Sequence, residues 1–119
     1  MPFLPSEREH DACEDIITNA EAALRFTAGM TFAAFEADQL TNYAVVRCLG
    51  IISEASRCLG PETQARHATV PWRDIAEAGN SHRDAYDRVA LDIVWKTVHD
   101  HLKPIVAACH AELSRPPAP

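Results

Sequence analysis

Apolar residues recur every three or four positions along most of the chain, and this period predicts helices rather than strands. The period is regular from Ser6 to Ala28, where Ser6 is placed to cap the helix and acidic residues follow it. Gly29 supplies a stop. Thr31 is placed to cap a short second helix, Phe32 to Ala37, whose two phenylalanines lie three positions apart. We therefore predict one long helix and one short helix in this region.

The longest apolar stretch, Gln39 to Leu59, is apolar on nearly every side when it is drawn as a helix. Such a helix is central, and neighbouring helices or a partner subunit bury both of its sides. Two charged residues interrupt it, Arg47 and Glu54, which are seven positions apart and therefore share a face. Because buried charges need partners, we predict a polar pair with an orienting role; direct contact with a phosphate is the alternative.

Gly60-Pro61 is predicted to end this helix, and Glu62 to His67 is predicted as one short helical turn. The next helix is predicted to run from Pro71 to Val89. Its proline suits the first turn, where the missing N–H is no loss. The connection to the last helix is placed at 87–90.

The last helix is predicted from Leu91 to Leu113, with a kink at Pro104, whose ring removes a backbone hydrogen bond. Residues 114–119 are rich in proline, so we predict a disordered tail after a single domain at 1–113. No alternating strand pattern is present. The fold class is therefore all-α, an up-and-down bundle of about four main helices with additional short ones.

Composition and charge restrict the class of protein. The chain has 119 residues, 47% of them hydrophobic, which is enough apolar material for one core. The net charge of −6 argues against a generic nucleic-acid binder, so RNA contact would need a local basic patch or a composite site. No signal peptide and no apolar run of about 20 residues is present, which predicts a cytoplasmic protein outside the membrane. The four cysteines form no CxxC pair, and we predict free, buried thiols.

The predicted helix from Pro71 to Val89 has an unusual centre, because polar and ionisable residues occupy part of its inward face. Ile75 and Gly79 lie on the same inward stripe as His82 and Tyr86. Proteins break local rules of this kind mostly at functional sites, so we take this stretch as the candidate site. The residues that fill it are Asn80, His82, Arg83, Asp84, Tyr86 and Asp87.

Metal binding is not expected, and neither is a cofactor. His99-Asp100-His101 and Cys109-His110 contain ligand-type residues, but their spacing matches no zinc signature. His99 and His101 would point roughly 200° apart on a helix, so they cannot hold one ion from the same face. We interpret this part of the last helix as a solvated surface.

Three blocks of sequence together resemble the HepT-like proteins, which belong to the HEPN group of helical ribonucleases. They are AVVRCLGIISEASRCL, VPWRDIAEAGN and DRVALDIVWKTV, and with their spacing they cover roughly residues 10 to 113. The resemblance implies a HEPN-like homodimer, the toxin of a pair whose antitoxin is a small nucleotidyltransferase called MNT. In some such pairs the antitoxin transfers AMP to a tyrosine of the toxin and silences it, and Tyr86 matches that tyrosine.

The chemistry implied by the resemblance rests on an arginine and a later histidine with four to six residues between them. Histidine suits removal of the proton from the RNA 2′-OH, and arginine suits the phosphate charge. In this chain the arginine position falls on Gly79 and the histidine position on Asp84. A variant branch reads Gly-Asn-x-Tyr-Arg-His-x-Tyr-Asp, and the chain matches it at five positions: Gly79, Asn80, Arg83, Tyr86 and Asp87.

Each candidate residue keeps two interpretations. His82 is a displaced general base or phosphate contact, or else a partly buried histidine bonded to a neighbour. Arg83 contacts a phosphate or nucleotide, or else forms a salt bridge to Glu54, Asp84 or Asp87. Tyr86 is either modified by AMP or a core aromatic residue. The functional hypotheses are a metal-independent ribonuclease acting at a dimer cleft, an inactive HEPN module that binds a nucleotidyltransferase or nucleotide, and a plain helical dimer.

Overall fold

The computed structural model describes residues 5–80 and 88–116. Six helices occur in these two ranges, and neither range contains a strand, so the predicted all-α bundle is confirmed. Four helices form the bundle and two are single short segments. In chain order they are α1 (Pro5–Thr27), α2 (Phe32–Ala37), α3 (Gln39–Arg57), α4 (Pro61–Arg66), α5 (Trp72–Asn80) and α6 (Arg88–Leu113).

The turn between α1 and α3 follows the predicted signals. Gly29 has a φ of +75°, the left-handed conformation that glycine adopts at low cost just after a helix. The Thr31 hydroxyl accepts the Ala34 N–H at 3.1 Å, which confirms the predicted cap of α2. Ser6 is a correction, because α1 already begins at Pro5 and Ser6 therefore lies in its first turn instead of capping it.

The predicted C-terminal bound of the helix from Pro71 to Val89 is wrong. Helix α5 ends at Asn80 in the described part of the chain, and α6 begins at Arg88, so Val89 and Ala90 belong to the last helix. The connection therefore does not extend to 90. Apolar spacing located Leu91, but Ala90 is buried beside it, and α6 begins three residues before Leu91.

The core lies where α1 packs against both α3 and α6 and where α5 packs on α3. Its largest fully buried side chain is Phe35 of α2, which stacks at 5.2 Å from the ring of Trp95 on α6. The short α2 thus closes one end of the bundle. Helix α6 continues through Pro104 and ends at Leu113, as predicted, and Ser114 to Pro116 are not helical.

Helix α3 has one exposed face in the single chain. Leu40 and Tyr43 are 83% and 41% exposed, whereas Val45 and Ile52 on the opposite face are fully buried. We predicted that neighbouring helices or a partner subunit bury both sides of α3. Neighbouring helices of the same chain cover one side only.

The cysteines are free, and three of them are buried, as predicted. Cys58 is the exception, because it is exposed just after α3 ends. Cys13 of α1 and Cys109 of α6 hydrogen-bond to each other within the core; this bond lowers the pKa of Cys13 and raises that of Cys109. Within the residues that the structure describes, no helix combines the length and apolar character needed to cross a membrane.

Candidate functional site

The candidate stretch begins in α5, and two of the four residues predicted to form its inward stripe are described by the structure. Ile75 is 2% exposed and Gly79 is buried, both facing the bundle. The other two members of the predicted stripe, His82 and Tyr86, lie outside the described residues, as do Arg83, Asp84 and Asp87. For Asn80 the structure describes the backbone, at the end of α5.

Gly79 is the point of closest approach between α5 and α3. A Cβ atom at this position would lie 2.6 Å from the Ser53 hydroxyl oxygen and 2.9 Å from the Leu49 carbonyl oxygen. Both distances are shorter than van der Waals contact, and one involves backbone that cannot rotate away. Glycine is therefore required for the observed helix separation, a close approach that isolated glycines in helices commonly permit.

A hydrogen bond fixes the same contact. The Ser53 hydroxyl donates to the Ala76 carbonyl at 2.9 Å, and Ser53 itself is 2% exposed. This bond satisfies a buried hydroxyl and ties α3 to the last turns of α5. The chain consequently leaves α5 from a fixed position on α3. We name Gly79, Ser53 and Leu49 the Gly79 contact.

Arg47 and Glu54 do not form the predicted buried pair. Both are exposed on α3, and among the described residues no ion pair joins them. Seven helical residues separate their positions by roughly 10 Å along the axis, which is too far for a direct contact within one helix. The prediction that they share a face holds, because both lie on the exposed side of α3.

A separate polar cluster lies where α4 meets the end of α6. Glu112 accepts hydrogen bonds from Arg66 at 2.6 and 3.2 Å and lies 2.6 Å from Nε2 of His67. Arg66 also donates to the Thr63 hydroxyl at 3.0 Å, and that hydroxyl donates to Glu9 of α1. We name these five residues the Glu112 cluster.

The Glu112 carboxylate is strongly stabilised in its charged form. The hydrogen bond from Arg66, with help from His67, lowers the pKa of Glu112 from 4.5 to about 2. Both carboxylate oxygens are occupied by these partners. An acid with so low a pKa and no open oxygen is poorly suited to move protons near neutral pH, so we assign the cluster a structural role.

The rest of α4 is fixed in a similar way. The Trp72 indole N–H donates to the carbonyls of Gln64 and His67, both at 3.1 Å. Sequence reasoning missed this arrangement. One signal was available, because Glu112 continues the inward spacing of Ile105 and Cys109 on α6, where an apolar residue would be expected.

One group of metal-ligand side chains occurs among the described residues. His10, Asp11 and Glu14 of α1 have ligand atoms within 4.8 Å of one another, but all three are exposed. His10 and Glu14 face each other at 3.5 Å, which is an ordinary pair one helical turn apart. In the last helix, Cys109 is buried whereas His110 is exposed, so these two do not point into one site.

Comparison with known proteins covers nearly the whole bundle. The family model described as Ribonuclease HepT-like matches residues 16–111. A Thermococcus cleftensis protein named "Probable ribonuclease HepT" is 35% identical over 97 residues, which are 81% of this chain and 88% of the relative. A Methanocaldococcus jannaschii protein named "Putative RNase MJ1380" is 29% identical over 91 residues, 76% of this chain and 84% of the relative.

A third relative, from Caldanaerobacter subterraneus, is named "Putative RNase TTE0752" and is 33% identical over 85 residues, 71% of this chain and 76% of the relative. No solved structure gives a significant match. The matched region includes the Gly79 contact and the polar stretch that follows α5. The chain therefore belongs to the ribonuclease HepT-like family.

Proposed function

We propose that this chain is the toxin component of a toxin–antitoxin pair, a metal-independent endoribonuclease that cuts RNA in a cleft between two copies. The observation that carries the proposal is the family match over residues 16–111, a range that includes the stretch after α5. Relatives named as ribonucleases cover most of their own length in that match. The fixed exit of α5 at the Gly79 contact supports it, because a catalytic segment must start from a rigid support.

The proposed reaction uses the ribose 2′-OH as the nucleophile. His82 removes its proton, the 2′-oxygen attacks phosphorus, and the bond to the 5′-oxygen breaks, leaving a 2′,3′-cyclic phosphate. The leaving 5′-oxygen takes a proton from a protonated side chain of the second copy or from water. Arg83 balances the charge on the phosphate, and Asn80, Asp84 and Asp87 orient these groups.

A cleft between two copies would bring two sets of these residues together. The net charge of −6 makes a single chain a poor partner for RNA, and two copies of Arg83 and Arg47 would provide a local positive region. Arg47 lies on the exposed face of α3, roughly 120° around the helix from Ser53, which contacts α5. In this arrangement Arg47 and Glu54 contribute to the rim of the cleft.

A cleavage assay tests the proposal. The wild-type protein is incubated with structured and unstructured RNA in the presence of a chelator, beside the His82→Ala, Arg83→Ala double variant. We expect cleavage by the wild type and a loss of at least about a hundredfold in the double variant, which is the usual size of general-base catalysis.

The matched control is the His10→Ala, Arg73→Ala double variant, which removes the same two residue types at exposed positions on α1 and α5. It should cleave at the wild-type rate. Absence of cleavage by the wild type, or cleavage that survives the loss of His82 and Arg83, would contradict the enzymatic proposal.

A second candidate function is favoured by the Gly79 contact. The family arginine position falls on Gly79, where even a methyl group is excluded by α3, so an arginine cannot be accommodated there. Together with Asp84 at the histidine position, this favours a catalytically inactive module that binds an MNT-type nucleotidyltransferase or a nucleotide. In either function, AMP transfer to Tyr86 is the proposed form of regulation.

Co-expression with a nucleotidyltransferase from a flanking gene distinguishes the partner function. The two proteins should co-purify, and the mass of this chain should rise by one AMP unit in a peptide that contains Tyr86. The Tyr86→Phe variant should still co-purify without the mass change. Failure to co-purify, with no modification at Tyr86, would remove the support for this second function.

A further inference from the structure

Two of the buried cysteines meet where α1 packs on α6. Cys13 of α1 and Cys109 of α6 are each 1% exposed, and their side chains share a hydrogen bond. Their sequence neighbours Ala12 and Ala108 are buried alanines, so small side chains flank the pair and the two helices can approach closely there. Two sulfur atoms in hydrogen-bond contact lie near the positions that a disulfide requires. The proposed function uses neither thiol.

We propose that Cys13 and Cys109 form a reversible disulfide when the protein meets a hydroperoxide, and that this bond locks α1 to α6. The two residues are 96 positions apart, so the bond closes nearly the whole chain into one loop. A cross-link over so long a loop stabilises the fold, because it removes conformational entropy from the unfolded chain. In a reducing compartment the pair stays a dithiol until the oxidant arrives.

The hydrogen bond gives the two sulfur atoms different parts in this reaction. The bond from Cys109 lowers the pKa of Cys13, and the same bond, together with burial, raises the pKa of Cys109. Cys13 therefore reacts first, because the thiolate is the nucleophile. Its sulfur attacks one oxygen of hydrogen peroxide; the S–O bond forms, the O–O bond breaks, and the departing hydroxide takes up the thiol proton to become water.

Cys109 completes the disulfide. Its sulfur attacks the sulfur of the Cys13 sulfenic acid; the S–S bond forms, the S–O bond breaks, and the oxygen leaves as water with the Cys109 proton. Two thiols and one hydrogen peroxide thus give one disulfide and two water molecules. A small dithiol reverses the reaction by thiol–disulfide exchange.

The Glu112 cluster lies beside this pair and controls access to it. On α1, Glu9 precedes Cys13 by one helical turn, and on α6 Glu112 follows Cys109 by three residues. Both carboxylates accept hydrogen bonds from α4. A peroxide reaches side chains this buried only when the bundle opens locally, and such openings cost less near helix ends than global unfolding does. Weakening the cluster should therefore speed the oxidation.

The pair is remote from the candidate site. Arg88, the first residue of α6, lies roughly 30 Å along the helix axis from Cys109. The disulfide therefore acts on the stability of the bundle at the far end of α6. The inference goes beyond the proposed function, and its test contains no RNA, so a failure of cleavage leaves its outcome unaffected.

Peroxide treatment of the reduced protein tests the site. The parent protein for all measurements is Cys58→Ser, because Cys58 is exposed and could join two chains. It is treated with hydrogen peroxide, unfolded, alkylated and mapped by peptide mass spectrometry. We expect an intact mass lower by two hydrogens and one peptide pair joined through Cys13 and Cys109. The Tm should rise by at least about 5 °C, and dithiothreitol should reverse both changes.

Cys48 is the internal control, since it is a buried thiol on α3 whose pKa is raised by burial, and it should be fully alkylated. Cys109→Ser in the parent protein should abolish the mass change. A parent protein with Cys13 and Cys109 still free, with either one joined to Cys48, or without a rise in Tm would overturn the proposal. Mapping of the parent protein decides this even if Cys109→Ser fails to fold.

The rate of oxidation tests the part played by the Glu112 cluster. Glu112→Gln in the parent protein should form the disulfide at least about fivefold faster, because it weakens the contacts that hold α4 over this end of the bundle. Glu14→Gln is the matched control, since it makes the same chemical change in an exposed pair on α1, and it should react at the parent rate. Equal rates for the two variants would overturn access through the cluster.

Discussion

Two regions of the bundle are held together in opposite ways. Beyond the end of α3 at Arg57, the Glu112 cluster joins α1, α4 and α6 through polar and charged side chains. In the second half of α3, the Gly79 contact joins α3 to α5 by the absence of a side chain. The first arrangement contains titratable groups close together, yet both oxygens of the Glu112 carboxylate are engaged. The second contains no titratable group and supports the stretch to which the proposed function assigns the chemistry.

The comparison shows that a cluster of acid, base and cation is not by itself a site. An Arg, a His and a Glu within hydrogen-bond distance satisfy each other, and a substrate would find no free group among them. A support for chemistry needs rigidity close to the reacting groups, and close helix contact supplies this rigidity without competing for protons.

The largest expected effect is at the Gly79 contact. Gly79→Ala places a methyl group 2.6 Å from the Ser53 oxygen and 2.9 Å from the Leu49 carbonyl, so the two helices must separate. We expect a loss of about 3 kcal/mol in the free energy of unfolding, measured with urea. Gly60→Ala is the control, because its Cβ would lie 3.4 Å from Glu9, an ordinary contact, and should change stability by less than about 1 kcal/mol. Equal stability of the two variants would mean that α5 has room to move.

In the Glu112 cluster, Glu112→Gln removes the charge that holds Arg66 and His67. We expect a loss of between about 1 and 2 kcal/mol in the free energy of unfolding at pH 7, since charge-assisted hydrogen bonds are replaced by neutral ones. Cleavage of RNA by the folded variant should stay at the wild-type rate. Glu14→Gln, which breaks an exposed pair on α1, should change stability by less than about 0.5 kcal/mol. A large fall in cleavage at unchanged stability would contradict the structural role of the cluster.

The Glu112 cluster and the Gly79 contact should also differ in how their contributions to stability depend on pH. The pKa of Glu112 is lowered in the folded protein to about 2, from 4.5. Its charge therefore stabilises the fold above pH 4.5, and this contribution is lost as pH falls from 4.5 toward 2. The stability difference between the wild type and Glu112→Gln should shrink over that interval, whereas the difference between the wild type and Gly79→Ala should not. Urea unfolding of the three proteins at pH 7, 4.5 and 3 checks this; a constant difference for Glu112→Gln would refute it.

The smallest expected effect is that of Ser53→Ala. It removes the hydrogen bond to the Ala76 carbonyl but keeps the Cβ that packs against Gly79. We expect a loss of about 1 kcal/mol, the usual value of one buried hydrogen bond. A Ser53→Ala loss as large as that of Gly79→Ala would show that the hydrogen bond, and not the close contact, determines the position of α5.

Local signals predicted much of the fold. Gly29, Thr31 and the Gly60-Pro61 break act within a few residues of themselves, so their effects can be deduced from neighbours in the sequence. The prediction was wrong at the start of the last helix, because apolar spacing locates the inward residue Leu91 but not the first turn, which begins at Arg88. The Glu112 cluster could not be predicted, since Arg66 and Glu112 are 46 positions apart and meet only when α4 folds onto α6.

In the candidate site, too, local features were predictable from the sequence and contacts between helices were not. The inward position of Ile75 and Gly79 followed from helical spacing, and the structure confirms it. Glycine at 79 was interpreted as a departure from the family motif, whereas its packing role depends on the distance to α3, which spacing along one helix cannot give. Arg47 and Glu54 share a face of α3 as spacing predicted, but both are exposed in the single chain, and their orienting role stays a prediction.

The closeness of α3 and α5 at residue 79 also limits the mutational routes open to this chain. A change from Gly79 to arginine would restore one of the two motif residues, with Asp84 still at the histidine position, but the side chain would start inside the space held by Ser53 and by the Leu49 carbonyl. The backbone oxygen remains whatever residue occupies 53, so a compensating change there is insufficient. Reversion would require the two helices to move apart together with several of their core residues. The present sequence is therefore expected to be separated from any sequence with arginine at position 79 by intermediates that fold poorly.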